Sequence, residues 1–129
     1  MANFKILTNN PMAEASYPGL CEFHDKTVEG IFIACRDMIH KGAILINHPL
    51  SGSIKPNISP YRSLVVSNES PAIDFRSLQL IEDAITTLKK LGIRDNMQYN
   101  ESVSEDFQVI DLDLLNSAMQ SLPPNYYKI

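Results

Sequence analysis

The sequence predicts an α/β fold: a three-layer sandwich with a mostly parallel central sheet of about five strands. Three observations predict it. Short apolar runs alternate along the chain with longer segments of helical period. Two of those runs, "AILI" at 43–46 and "SLVV" at 63–66, are continuous rather than alternating, as strands covered on both faces are. The chain has 129 residues, 44% of them hydrophobic and 20% charged, which suits one domain, 1–129, with one core.

The elements follow in order. Phe4 to Thr8 reads as a short buried strand, and Asn10 followed by Pro11 starts a brief helix, Pro11 to Ser16, that "YPG" ends. "LCEFHD" alternates, with Cys21 and Phe23 on one face and Glu22 and His24 on the other, the pattern of an edge strand. Thr27 caps a helix that Gly42 ends; Val28, Ile31, Phe32, Cys35, Met38 and Ile39 form its apolar stripe. After the two continuous strands, Asp74 to Leu91 is helical, with Leu78, Ile81, Ile85 and Leu88 on one face and Lys89 and Lys90 in the last turn. "NMQYNESVSED" reads as a polar surface loop, "FQVID" at 107–111 as the last strand, and Leu112 to Leu122 as a last helix stopped by Pro123-Pro124. The first, third and fourth strands are expected inside the sheet. The first lies between the second and third, so its contact with the third is a switch point where ligands bind.

Composition excludes several classes of function. The net charge is −4 and no basic block interrupts it, so no nucleic acid partner is expected. The longest apolar run, Ile31 to Cys35, is far short of the ~20 residues that span a bilayer, and no basic leader precedes "NFKILTNN". Cys21 and Cys35 read as small buried hydrophobes, consistent with a reducing compartment. A cytoplasmic protein without membrane contact is expected. A homodimer is expected too, with the two tyrosines of the "NYYKI" tail available for contact.

The polar residues gather at strand exits. "ILTNNP", "LINHP" and "VVSNESP" each carry asparagine and are soon followed by proline. Parallel strands would bring Thr8, Asn9, Asn10, Asn47, His48, Ser67 and Asn68 to one end of the sheet, where asparagine offers donor and acceptor to a small polar ligand. Asn and Ser also start turns and cap helices, so a plain structural role is the alternative. The connection between the continuous strands adds a candidate anion site. Gly52, between Ser51 and Ser53, can let successive backbone N–H groups form a nest, and Lys55 and Arg62 supply positive charge. Pro56 and Pro60 stiffen the loop. Its guest would be a carboxylate or phosphate; the competing reading is a rigid surface connection.

Other chemistry finds less support. No phosphate-loop or dinucleotide glycine motif is present, and His24, His40 and His48 are too scattered for a metal set. No cofactor and no metal are expected. His48 is the candidate for catalytic acid or base work, with Ser51 or Ser53 as nucleophile. Nothing marks a nucleophile elbow, and no spacing rule ties Asp111, at the exit of the last predicted strand, to the histidine.

The stretch "HPLSGSIKPNISPYRSLVV", with "ILTNNP", the helix ending "RDMIHKGAILI" and the helix through "SLQLIEDAI", resembles the GrdX family. These are small proteins associated with glycine/sarcosine/betaine reductase gene clusters of amino-acid-fermenting anaerobes. The resemblance covers about residues 4 to 91, and its specific part is H-P-L-S-G-S-x-K-P, His48 to Pro56. It implies a cytoplasmic accessory role beside amino-acid reduction and brings no catalytic residues with it. With no Cys-x-x-Cys, the chain does not look like a redox carrier of that system. Three functions follow as expectations: an accessory protein binding a small anionic metabolite, a small enzyme using His48, or an assembly factor that binds a protein partner of the reductase system.

Overall fold

A computed structural model describes residues 3–51, 57–92 and 99–123. Its elements are β1 (Phe4–Thr8), α1 (Pro11–Ser16), β2 (Cys21–Phe23), α2 (Val28–His40), β3 (Ser63–Ser67), α3 (Phe75–Leu91) and α4 (Glu101–Gln120). The helix starts are set by side chains that take up amides the helix itself cannot satisfy. Asn10 accepts from Met12 N, Thr27 from Gly30 N, Asp74 from Ser77 N and Asn100 from Val103 N.

The sheet has three strands in the order β2-β1-β3. The β1 strand runs parallel to β2, with Ile6 opposite Cys21, and antiparallel to β3, with Ile6 opposite Val65. Helices cover both faces. On one, Leu7, Leu64 and Val66 join Ile31, Phe32, Cys35 and Ile39 of α2 and Ile81, Ala84, Ile85 and Leu88 of α3. On the other, Phe4, Ile6 and Val65 join Ala13 of α1 and Leu115 and Met119 of α4, with Leu122 just beyond. The two faces follow the period of two along each strand.

The protein is mixed α/β, but the expected five-stranded, mostly parallel sheet is overturned in three places. The β3 strand is antiparallel to β1: a continuous apolar run reports burial on both faces and says nothing of direction. The "AILI" segment contributes a single bridge, Leu45 to Val66, on the outer side of β3, so it does not touch β1 and the expected switch point is absent. Its ladder stops because the Val65 N–H, which a continuing strand would bond through a backbone carbonyl, goes instead to Asn47 Oδ1 at 2.8 Å. Finally, "FQVID" and most of the supposed polar loop before it lie inside α4. The helix buries Asp111, Leu115 and Met119, a spacing of four that a strand reading of Phe107, Val109 and Asp111 conceals. Val109 and Ile110, apolar and suggestive of a strand, are exposed.

The end of α2 is fixed by Gly42. Its φ is 99°, and the bonds Ala43 N to Met38 O and Gly42 N to Ile39 O close a Schellman motif. A methyl on Gly42 would also run into the backbone carbonyl of Ser70. Gly42→Ala is therefore expected to cost about 2 kcal/mol, from a left-handed residue and a forced shift of residues 69–71. Urea denaturation would check it. A cost near zero would mean that the turn relaxes freely.

Candidate functional site

The end of the sheet where β1 leaves and β3 begins holds a buried polar cluster. Thr8 and Ser63 are cross-strand partners, and their hydroxyl oxygens lie 2.7 Å apart. Ser63 Oγ donates to Asp111 Oδ2 at 2.6 Å, and Asn10 Nδ2 donates to the same oxygen at 3.0 Å. The Asn10 backbone N–H donates to Thr8 Oγ1 at 3.0 Å. Arg62 precedes Ser63 and is 7% exposed; Asp111, from α4, is 4% exposed. Burial pushes the Asp111 carboxyl up, while the hydrogen bonds from Ser63 and Asn10 and the charge of Arg62 pull it down. Burial lowers the Arg62 value, and the facing Asp111 charge opposes that.

Three of the four asparagines expected at this end, Asn9, Asn10 and Asn47, are there, and each is engaged within the protein. Asn9 Oδ1 accepts from Arg62 N at 2.8 Å, and its Nδ2 donates to the carbonyls of Lys26 and Pro60 at 2.8 and 2.9 Å. It ties the exit of β1 to the entry of β3 and to the start of α2. Asn10 caps α1 and donates to the Gln108 carbonyl at 2.9 Å as well as to Asp111. Asn47 donates to Ser63 O at 3.2 Å while accepting from Val65, so its amide stands in for a length of strand backbone. Ser67 and Asn68 lie at the opposite end of the sheet, where Asn68 N bonds Asn3 O, because β3 runs antiparallel.

His48 is exposed, and its Nδ1 accepts from Leu50 N at 3.0 Å. The ring closes its own turn, with Ser51 N on His48 O, and the proton of the neutral imidazole sits on Nε2. Ser51 is exposed. Gly52, Ser53 and Lys55 lie outside the described residues, as does the tail at 125–129 with its expected dimer contact. Neither thiol is poised to react: burial pushes Cys21 up to about 11 and Cys35 up to about 12.

Sequence reasoning did not connect Asp111 with Arg62 or with the two hydroxyls. The signal was present in the helical register, which puts Asp111 in line with Leu115 and Met119, a carboxylate on an apolar stripe. A second group, unforeseen, fastens the loop before β3 to α4. Tyr61 Oη meets Ser104 Oγ at 2.7 Å and accepts from Gln108 Nε2 at 3.1 Å. Tyr99 Oη donates to Ile58 O at 2.7 Å, and its ring packs on Phe107 at 4.9 Å between centroids.

The fold and this cluster define a small α/β protein with a charged pair enclosed at one end of its sheet. A family model described as GrdX-like protein matches residues 5–120, and the chain belongs to that family. No curated protein and no solved structure gave a match. Among the described residues, no helix is long and apolar enough to cross a membrane, and no group of three His, Cys, Asp or Glu side chains could hold a metal ion.

Proposed function

We propose that this GrdX-family chain is an accessory protein that holds a small anionic metabolite, a carboxylate or phosphate, near the end of the sheet where β1 leaves. The service it performs is to glycine, sarcosine or betaine reductase metabolism, as the family resemblance implies. The observation that supports this reading is the buried Arg62, whose backbone N–H is fixed by Asn9 and whose charge is felt by the buried Asp111 carboxyl. Burying a cation in a domain this small is costly, and charge clusters of this kind concentrate at functional sites. The histidine-based enzyme is less well supported, because the Nδ1 lone pair of His48 is already used by Leu50 N.

Thermal shift with small carboxylates and phosphorylated metabolites, followed by calorimetric titration, tests the reading. A ligand at 100 times its dissociation constant should add about 2.7 kcal/mol to stability. Lys55→Ala should weaken binding about tenfold if that ammonium shares the anion, since a charge-assisted hydrogen bond is worth about 1.5–3 kcal/mol. No stabilisation by any member of the panel would end the metabolite reading. A protein-docking role is the second reading, and Phe75 supports it. This phenylalanine at the start of α3 is 74% exposed, with Ile73 also exposed beside it in sequence.

A further inference from the structure

The α4 helix is attached to the rest of the molecule by two different kinds of contact. All of its buried residues, Asp111, Leu115 and Met119, come from its second half. Residues 101–110 bury no side chain. That first half is held by polar links: Ser104 and Gln108 to the Tyr61 hydroxyl, and the Gln108 carbonyl to Asn10 Nδ2. Phe107 adds a ring contact with Tyr99. Tyr61 is also the neighbour of Arg62, and Asp111 is the first buried position where the apolar attachment begins.

We propose that residues 101–110 form a cover hinged near Asp111, which swings off the Tyr61 segment and opens a way to Arg62. The proposal deepens the anion-binding reading, which needs a route to the buried Arg62. A segment without buried apolar side chains opens at lower free energy than one anchored in the core. Three exchangeable polar contacts also lose little when water replaces them, because the net worth of each is small. The second half of α4 stays docked through Leu115, Met119 and the following Leu122, so opening unwinds the first half without global unfolding.

Residue-resolved amide exchange on the whole protein tests this without a ligand. Amides at 105–110 are expected to exchange at least about tenfold faster than those at 113–119, and Tyr61→Phe should speed the first group about tenfold more while leaving the second unchanged. Simple fraying of the helix start would also respond to the loss of the Tyr61 contact with Ser104, but it would not alter Arg62. The rate of phenylglyoxal modification at Arg62, read against exposed Arg76, should therefore also rise in Tyr61→Phe. One exchange class along the whole of α4, or a Tyr61→Phe variant in which Arg62 reacts no faster than in wild type, would overturn the cover. Inorganic phosphate added to the same experiment separates the two ideas. Slower exchange at 105–110 joins the cover to the anion; two rate classes that ignore every anion of the panel count against the anion reading and leave the hinge standing.

Discussion

Asp111→Ala is expected to lower stability by about 3 kcal/mol, measured by denaturant titration, because it removes the acceptor shared by two buried donors and the carboxylate whose charge acts on Arg62. The donors are the Ser63 hydroxyl and one Asn10 amide proton, inside a region where water does not reach them. Asp111→Asn separates charge from shape. The amide oxygen can still accept from Ser63 and Asn10, so the remaining loss reports the charge. Its pH dependence has a definite sign. Burial raises the Asp111 carboxyl above the ordinary aspartate range in the folded protein, so the folded state holds the proton more tightly than the unfolded chain does. The wild type should then gain stability relative to Asp111→Asn as pH falls toward the ordinary aspartate range. A constant difference across that range would show that Arg62 and the two hydrogen bonds cancel the effect of burial.

Phe32→Ala should cost about 3–5 kcal/mol, as large aromatic truncations in a packed core do. Phe32 is 0% exposed and heads the largest fully enclosed side chains. It sits on α2 in the cluster shared with α3 and the sheet, which includes Ile31, Cys35, Ile81 and Leu88. The matched control is Phe75→Ala: the same chemical change at 74% exposure, expected within about 0.5 kcal/mol of wild type. Equal losses at the two positions would show that Phe75 is covered in solution, which is the outcome the protein-docking reading requires of a self-associating chain.

Much of the first ninety residues was legible because local signals there agree with one another. Asn10-Pro11, Thr27 before an apolar stripe, Gly42 after it, and Asp74 before Leu78 and Ile81 each mark a helix by cap and period together. Strand direction was not legible, since Leu64, Val65 and Val66 would be equally buried running either way. The α4 helix was hidden for a different reason. Its cap, Asn100, stands in a polar run that reads as a loop, and the residue that marks its inner face at 111 is a carboxylate. At the site, the strand exits placed Asn9, Asn10 and Asn47 at one end of the sheet, but the same argument misplaced Ser67 and Asn68, because β3 is antiparallel. What each asparagine does there was not readable. Their partners at Lys26, Arg62, Val65 and Gln108 are set by the packing of separate elements, and no spacing rule reaches from Asn10 to an acid 101 residues away.

The central position of β1 has a consequence for how the chain is made. Of the three strands, the first to leave the ribosome is the one on which the whole sheet depends, and its longer ladder waits for β3. Thr8 meets Ser63 across 55 residues, so a nascent chain ending before that point can offer β1 only the three-residue β2 as a partner. Contacts this distant in sequence make folding slow for a domain of modest size, because loop closure comes before any reward. Until α4 emerges, Phe4 and Ile6 also lack Leu115 and Met119, which cover their face of the sheet. The nascent chain is then at its most adhesive, and this window is when a holdase would find its binding segment.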